Sequence, residues 1–161
     1  MDLSELLNGA KTRLQGAPRE ALGRYEVPRR ILGVARAPRI VRVGDAWHLG
    51  VLLLTDDALL ATGEITRAND PGRRGYAAES ARQRAELRAA ALRGGFSPGE
   101  TVHFEWKPID LDAAGRGEAS GPISLHGDVP MVRWSPAGGF APLARYLDER
   151  IELLIHPQQG A

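Results

Sequence analysis

The residues best suited to chemistry are basic ones around a loop near the middle of the chain. Arg67, Arg73 and Arg74 accompany Gly75 in the run TRANDPGRRGY, directly before a long Ala-rich segment. Free N–H groups and the dipole at a helix N-terminus attract phosphate and other anions. We therefore predict a site for an anionic small molecule at Arg67, Arg73, Arg74 and Gly75, with a plain surface loop as the alternative.

A second group of polar residues falls in predicted strands. His103 and Glu105 are two residues apart in an alternating run, so their side chains point to the same side. His126 ends a later strand and would join them on one polar sheet face if the two strands were neighbours. Histidines and carboxylates on one surface can hold zinc. A solvated polar face explains the same pattern more simply, and we predict no metal site.

Two further candidates for catalysis have structural interpretations. Ser97 lies in GFSPG, which matches the G-x-S-x-G nucleophile pattern. That pattern works between a strand and a following helix, whereas here a helix precedes it and a strand follows. We interpret it as a helix-to-strand loop. His48 follows Trp47 in an apolar strand, so we predict a hydrogen-bonded core histidine. The catalytic residues and the cofactors remain unknown at this stage.

These residues must be positioned by a mixed set of elements. Strand patterns occur in hairpins rather than alternating with helices, which indicates an α+β fold. We predict one domain over residues 1–161, with a mostly antiparallel sheet of about six strands and about three covering helices. Its N-terminal helical segment is residues 2–23, and its sheet and helices occupy residues 30–155.

The elements follow from apolar periodicity, capping residues and turn residues. The predicted helices are 2–15, 18–23, 76–93 and 142–155. The predicted strands are 39–43, 46–54, 58–67, 101–106, 122–126 and 129–134, with 24–38 as an extended connection or short outer strand and 107–121 as a polar loop. Gly44-Asp45 is predicted as the turn of a central hairpin, and Pro130 as a marker of an edge or bulged strand.

Composition limits the class of protein. The 161 residues are 43% hydrophobic and 25% charged, as in soluble globular domains. There is no cysteine, which excludes disulfides and thiolate chemistry and fits a reducing compartment. No secretory h-region or bilayer-length apolar run occurs, so we expect a cytoplasmic protein with no membrane partner.

Charge gives a weaker guide to partners. The formal net charge is +1, which argues against nucleic-acid binding. The span 11–42 nevertheless carries nine basic residues against two acids, so binding through it stays open. Arginine makes up 19 of the 21 basic residues, and this richness is typical of high-GC coding.

Two loose resemblances add to this picture. The order strand, Arg-Arg-Gly-Tyr-Ala, helix, strand resembles the pyrophosphate loop of acetyl-CoA-dependent N-acetyltransferases, with Tyr76 where that loop has a small residue. The blocks AWHLGVLLLTDDALLATGEITRA and ELRAAALRGGFSPGETVHFEW resemble a small family of uncharacterised proteins from high-GC bacteria. Some members carry the label glutaminase, but serine-dependent glutaminases use S-x-x-K, and no serine here precedes lysine at that spacing.

The functional predictions come in order of preference. The first is a non-catalytic binding or interaction module that forms a homo-oligomer, because the apolar centre is strand-rich and no catalytic constellation stands out. The second is an enzyme or sensor for a phosphate-containing small molecule, such as an acetyltransferase-like protein, acting at the loop before residues 76–93. The third is nucleic-acid binding through residues 11–42.

Overall fold

The computed structural model describes residues 2–69 and 79–158. Within these residues the chain forms four helices and ten strands. The helices are α1 (Leu3–Arg13), α2 (Glu79–Arg93), α3 (Leu111–Gly115) and α4 (Leu143–Ile155). The strands are β1 (Glu20–Glu26), β2 (Arg39–Leu49), β3 (Leu52–Leu54), β4 (Leu59–Ala61), β5 (Glu64–Arg67), β6 (Thr101–Phe104), β7 (Lys107–Pro108), β8 (Ile123–His126), β9 (Val129–Arg133) and β10 (Phe140–Pro142).

The α+β class is confirmed, whereas the predicted count and arrangement of elements are wrong in detail. Hydrogen bonding orders seven strands as β5-β6-β1-β2-β3-β4-β7 and three more as β10-β9-β8. The first set is mixed, because β1 pairs with β6 in parallel while the other described pairs are antiparallel. The prediction of about six strands is wrong for two reasons. Some predicted strands are divided in the structure, and some observed strands lie in segments that were predicted as loops.

The chain divides into two compact units. Unit 1 consists of Met1–Arg19, Ala46–Thr62 and Lys107–Ala161, and unit 2 consists of Glu20–Asp45 and Gly63–Trp106. Each has its own buried cluster. That of unit 1 is built on Trp47, on Leu52 and Leu54 of β3, and on the apolar faces of α1 and α4. That of unit 2 is built on Ile40, Phe96, Val102 and small alanines of α2. The single domain over 1–161 stays a prediction.

The terminal helices confirm the sequence pattern. Asp2 caps α1 by accepting a hydrogen bond from the backbone N–H of Glu5 at 2.8 Å. Leu3 and Leu7 are buried on the face that the spacing predicts. In α4, Leu143, Leu147 and Ile151 are likewise buried, and α4 begins directly after Pro142.

Residues 18–23, predicted as a helix, instead enter β1. Ala21 pairs with Val102 and Leu22 with His103, and both β1 residues are buried. A Cβ atom at Gly23 would overlap the side chain of Ile40, so glycine is required where these strands pack. Pairing with a strand eighty residues away therefore overrides the local helical signal.

The predicted hairpin turn at Gly44-Asp45 is also wrong, because β2 continues through it. The chain turns at Gly50, whose φ of +66° suits glycine. The Tyr146 hydroxyl occupies the space a Cβ would need there, and it accepts the N–H of Val51 at 2.9 Å. The turn at Gly50 is thus held by a contact with a residue that is distant in sequence.

Two later segments differ from prediction and one agrees. The predicted strand 58–67 is divided into β4 and β5, and the predicted polar loop 107–121 contains β7 and α3. The hairpin of β8 and β9 is confirmed. β9 is the middle strand of its sheet, yet β10 reaches only Met131, so Pro130 faces β8 alone.

No helix among the described residues has the length and apolar character needed to cross a bilayer.

Candidate functional site

A groove of about 300 Å³ lies between β5 and α2 in unit 2. We call it the arginine groove, because guanidinium groups dominate its lining. Its walls are formed by Glu64, Ile65, Thr66, Arg67, Arg84, Leu87 and Arg88. Among these described lining residues, three cations against one carboxylate leave a formal excess of two positive charges.

Local sequence explains why these side chains meet. Arg67 is the last residue of β5, and Arg84 and Arg88 are four positions apart, which places them on one face of α2. Ala85 and Ala89 of the same helix are buried, and their small side chains allow α2 to pack closely. The N–H of Asn69 also donates to the Arg88 carbonyl at 3.3 Å, tying the end of β5 to the helix.

Ion pairing separates these arginines from four others in unit 2. Arg24 and Arg39 pair with Glu26, Arg42 pairs with Glu100, and Arg93 pairs with Glu86. By contrast, Arg67, Arg84 and Arg88 form no ion pair with a carboxylate in residues 2–69 or 79–158. Direct pairing with a described carboxylate therefore does not neutralise these three arginines.

Two carboxyl groups show what pairing does elsewhere. The Arg42 hydrogen bond lowers the pKa of Glu100, with a smaller opposing effect from burial. In unit 1 the Arg19 hydrogen bond lowers the pKa of Asp56 in the same way. Such pairs keep arginines neutralised by the protein itself. The groove arginines lack that internal compensation among the described carboxylates.

The groove also offers apolar surface. Ile65 is 51% exposed and Leu87 is partly buried beside it, while Thr66 is largely buried. Planar guanidinium groups bind phosphate through paired N–H donors. An arrangement of cations with an adjacent aliphatic surface suits a phosphate joined to an apolar or planar group.

The predicted anion site is placed only in part. Arg67 lines the groove, whereas Arg73, Arg74 and Gly75 lie outside the described residues. Sequence reasoning missed Arg84 and Arg88. Their spacing of four on a predicted helix was a usable signal, but it became meaningful only once β5 was known to lie beside α2.

The predicted polar face is not formed by one pair of strands. His103 is completely buried in β6, and its Nε2 lies 3.2 Å from Oε1 of Glu20. Glu105 is exposed just beyond β6, where its φ is +56°. His126 is exposed in β8, and its ring centroid lies 4.9 Å from that of Phe140. β6 and β8 belong to different sheets.

The other chemical candidates, Ser97 and His48, each have a hydrogen-bond partner. Ser97 lies in the turn between α2 and β6, where its N–H donates to Oε1 of Glu100 at 3.2 Å. This confirms the helix-to-strand loop. His48 is half-buried with Nε2 2.9 Å from the Gly50 carbonyl oxygen, so it is hydrogen-bonded as predicted but less buried.

The basic span 11–42 is divided between the two units. Of its nine basic residues, five form ion pairs with described carboxylates. These are Arg13, Arg19, Arg24, Arg39 and Arg42. Pairing of this kind reduces the charge that the span offers to a nucleic acid.

No protein-family model, curated protein or solved structure matches the chain.

Proposed function

We propose that this protein is a binding module for a phosphate-containing small molecule, which it holds in the arginine groove. One observation carries the proposal. Arg67, Arg84 and Arg88 line a single groove and form no ion pair with a described carboxylate. This joins the first sequence prediction, a binding module, to the second, an anionic ligand near the loop before α2.

The ligand class follows from the groove's chemistry. Charge-assisted hydrogen bonds to phosphate are worth about 1.5–3 kcal/mol each, so two of them supply about 3–6 of the roughly 8 kcal/mol of a micromolar affinity. Ile65 and Leu87 favour an organic part beside the phosphate. A coenzyme A-like ligand belongs to this class, and so do nucleotides. The resemblance to the acetyltransferase pyrophosphate loop and the resemblance to a small bacterial family are likewise proposals.

Two further aspects of the sequence predictions belong with this proposal. A cytoplasmic location is supported by the absence of cysteine, which fits a reducing compartment. The predicted homo-oligomer stays a prediction that sedimentation velocity can check.

A thermal-shift and chemical-denaturation series with inorganic phosphate, pyrophosphate, ATP and coenzyme A tests the proposed function. A ligand at 100 times its dissociation constant should stabilise the protein by about 2.7 kcal/mol. In Arg84→Gln/Arg88→Gln we expect the same ligand concentration to give below about 0.5 kcal/mol, because losing two charged hydrogen bonds weakens binding roughly a hundredfold. Glutamine keeps the helix propensity of arginine, so α2 should persist.

The matched control is Arg116→Gln/Arg145→Gln, which removes the same charge from exposed ion pairs in unit 1. Ligand stabilisation should be unchanged in this control. Equal stabilisation of the groove variant and the control would contradict the proposal, as would the absence of any effect from all four ligands at millimolar concentration.

A further inference from the structure

The connection between β1 and β2 exposes apolar side chains. We call residues 27–38 the arm. Ile31, Leu32 and Val34 are 57%, 98% and 65% exposed. Large contiguous apolar patches on the surface of soluble proteins often mark interaction sites. A single turn with three exposed aliphatic side chains is therefore a candidate interaction surface.

The arm is a formed turn. Ile31 and Val34 pair as an isolated bridge, with N–H to carbonyl distances of 3.3 and 3.0 Å in the two directions. Leu32 and Gly33 between them have φ of +53° and +78°. Leucine is rarely found in this left-handed region, and such strain is concentrated at functional positions. The backbone thus holds Leu32 at the apex.

The arm is also strongly cationic. Arg29, Arg30 and Arg36 flank the apex, and residues 27–44 contain no acid. None of these three arginines forms an ion pair with a carboxylate in the described part of the chain. Among the described residues of unit 2, arginines without an ion pair to a described carboxylate therefore occur in the arginine groove and in the arm.

We propose that the arm docks on an anionic lipid bilayer, with Ile31, Leu32 and Val34 entering the interface and the arginines at the level of the lipid phosphates. Long basic side chains bind anionic headgroups while their stems lie against apolar surface. The apex carries only apolar side chains, and its paired N–H and carbonyl groups lessen the cost of leaving water.

A bilayer fits these features better than an acidic folded protein. A protein partner would need an acid-rimmed cavity matched to a convex turn, and residues 31–34 offer it no side-chain hydrogen bond. A bilayer needs only apolar insertion and charge. The expectation of no membrane partner was based on spanning length, and docking at the surface needs no spanning segment.

Co-sedimentation with vesicles of phosphatidylcholine, with and without phosphatidylglycerol, tests this proposal on the full chain. The unaltered protein should bind the phosphatidylglycerol vesicles and release them as salt rises. Leu32→Asn should weaken partitioning about tenfold or more. Asparagine tolerates the left-handed region, so the turn should remain. Arg29→Gln/Arg36→Gln should weaken it roughly fivefold for each arginine.

The controls are Leu153→Asn, at a leucine that is 46% exposed on α4, and Arg116→Gln/Arg145→Gln. Both should partition like the unaltered protein. Failure to bind phosphatidylglycerol vesicles at millimolar lipid would overturn the proposal and favour an acidic protein as the partner. Binding that Leu32→Asn leaves unchanged would overturn it as well. The arginine groove is intact in every arm variant, so either result leaves the proposed function unaffected.

Discussion

Replacing Gly94 by alanine is expected to lower the free energy of unfolding by about 4 kcal/mol or more, an exceptional loss for one methyl group. Gly94 directly follows α2, and a Cβ atom there would overlap the backbone carbonyl of Ile40 in β2. Ile40 is fully buried in the core of unit 2, so its backbone cannot yield without disturbing that core. Urea unfolding followed by circular dichroism measures the loss.

Gly44→Ala is the matched control. Gly44 also lies in β2, but the nearest atom to an added Cβ is Cδ1 of Leu22 at an ordinary 3.9 Å. We expect a change within about 0.5 kcal/mol, or a slight gain from the lower backbone entropy of the unfolded chain. Similar urea midpoints of unfolding for Gly94→Ala and Gly44→Ala would contradict the close approach of Gly94 to β2.

Replacing Trp47 by alanine is expected to lower the free energy of unfolding by about 3 to 5 kcal/mol. The indole is only 1% exposed in the core of unit 1. Its Nε1 donates to the Ala17 carbonyl at 3.3 Å, and the Arg19 guanidinium carbon lies 3.8 Å from the ring centroid. The substitution removes this packing and leaves a cavity beside β3.

Trp134→Ala is the matched control, because it removes the same side chain from an exposed position and so shows how much of the loss of stability at Trp47 comes from burial. Trp134 is 51% exposed, so Trp134→Ala should cost less than about 1 kcal/mol. Equilibrium unfolding of both variants under identical conditions compares them. A cost at Trp134 equal to that at Trp47 would contradict the assignment of Trp47 to the core.

The parts of the fold that could be predicted are those encoded locally. The leucine spacing of α1 and α4 and the Asp2 cap are complete within one helix, and the Gly127-Asp128 turn sets the hairpin of β8 and β9. Periodicity and capping determine such elements without help from the rest of the chain.

The failures involve partners that are distant in sequence. The predicted helix over residues 18–23 is wrong because the pairing of β1 with β6 cannot be inferred from those residues alone. The Gly-Asp pattern predicts a turn at Gly44, whereas the turn at Gly50 includes a hydrogen bond to the distant Tyr146 hydroxyl that the local sequence does not show. Tertiary contacts of this kind override local turn and helix signals.

In the candidate site, too, one residue could be predicted from the local sequence and two could not. Arg67 could be proposed from its place at the end of a strand before a helix. Arg84 and Arg88 could not, because their role depends on which strand α2 packs against. Charged residues on one face of a helix indicate a solvent-exposed surface in most proteins. Here that face forms one wall of a groove because β5 lies beside it.

Titration of the protein with inorganic pyrophosphate, observed through the arginine Nε–Hε resonances by NMR, tests the central claim most directly. Single Arg→Lys variants assign the signals of Arg67, Arg84 and Arg88. We predict that these three resonances shift together and saturate at one common ligand concentration, because the three arginines line one groove. Unmoved groove resonances, or shifts confined to Arg29, Arg30 and Arg36, would contradict it.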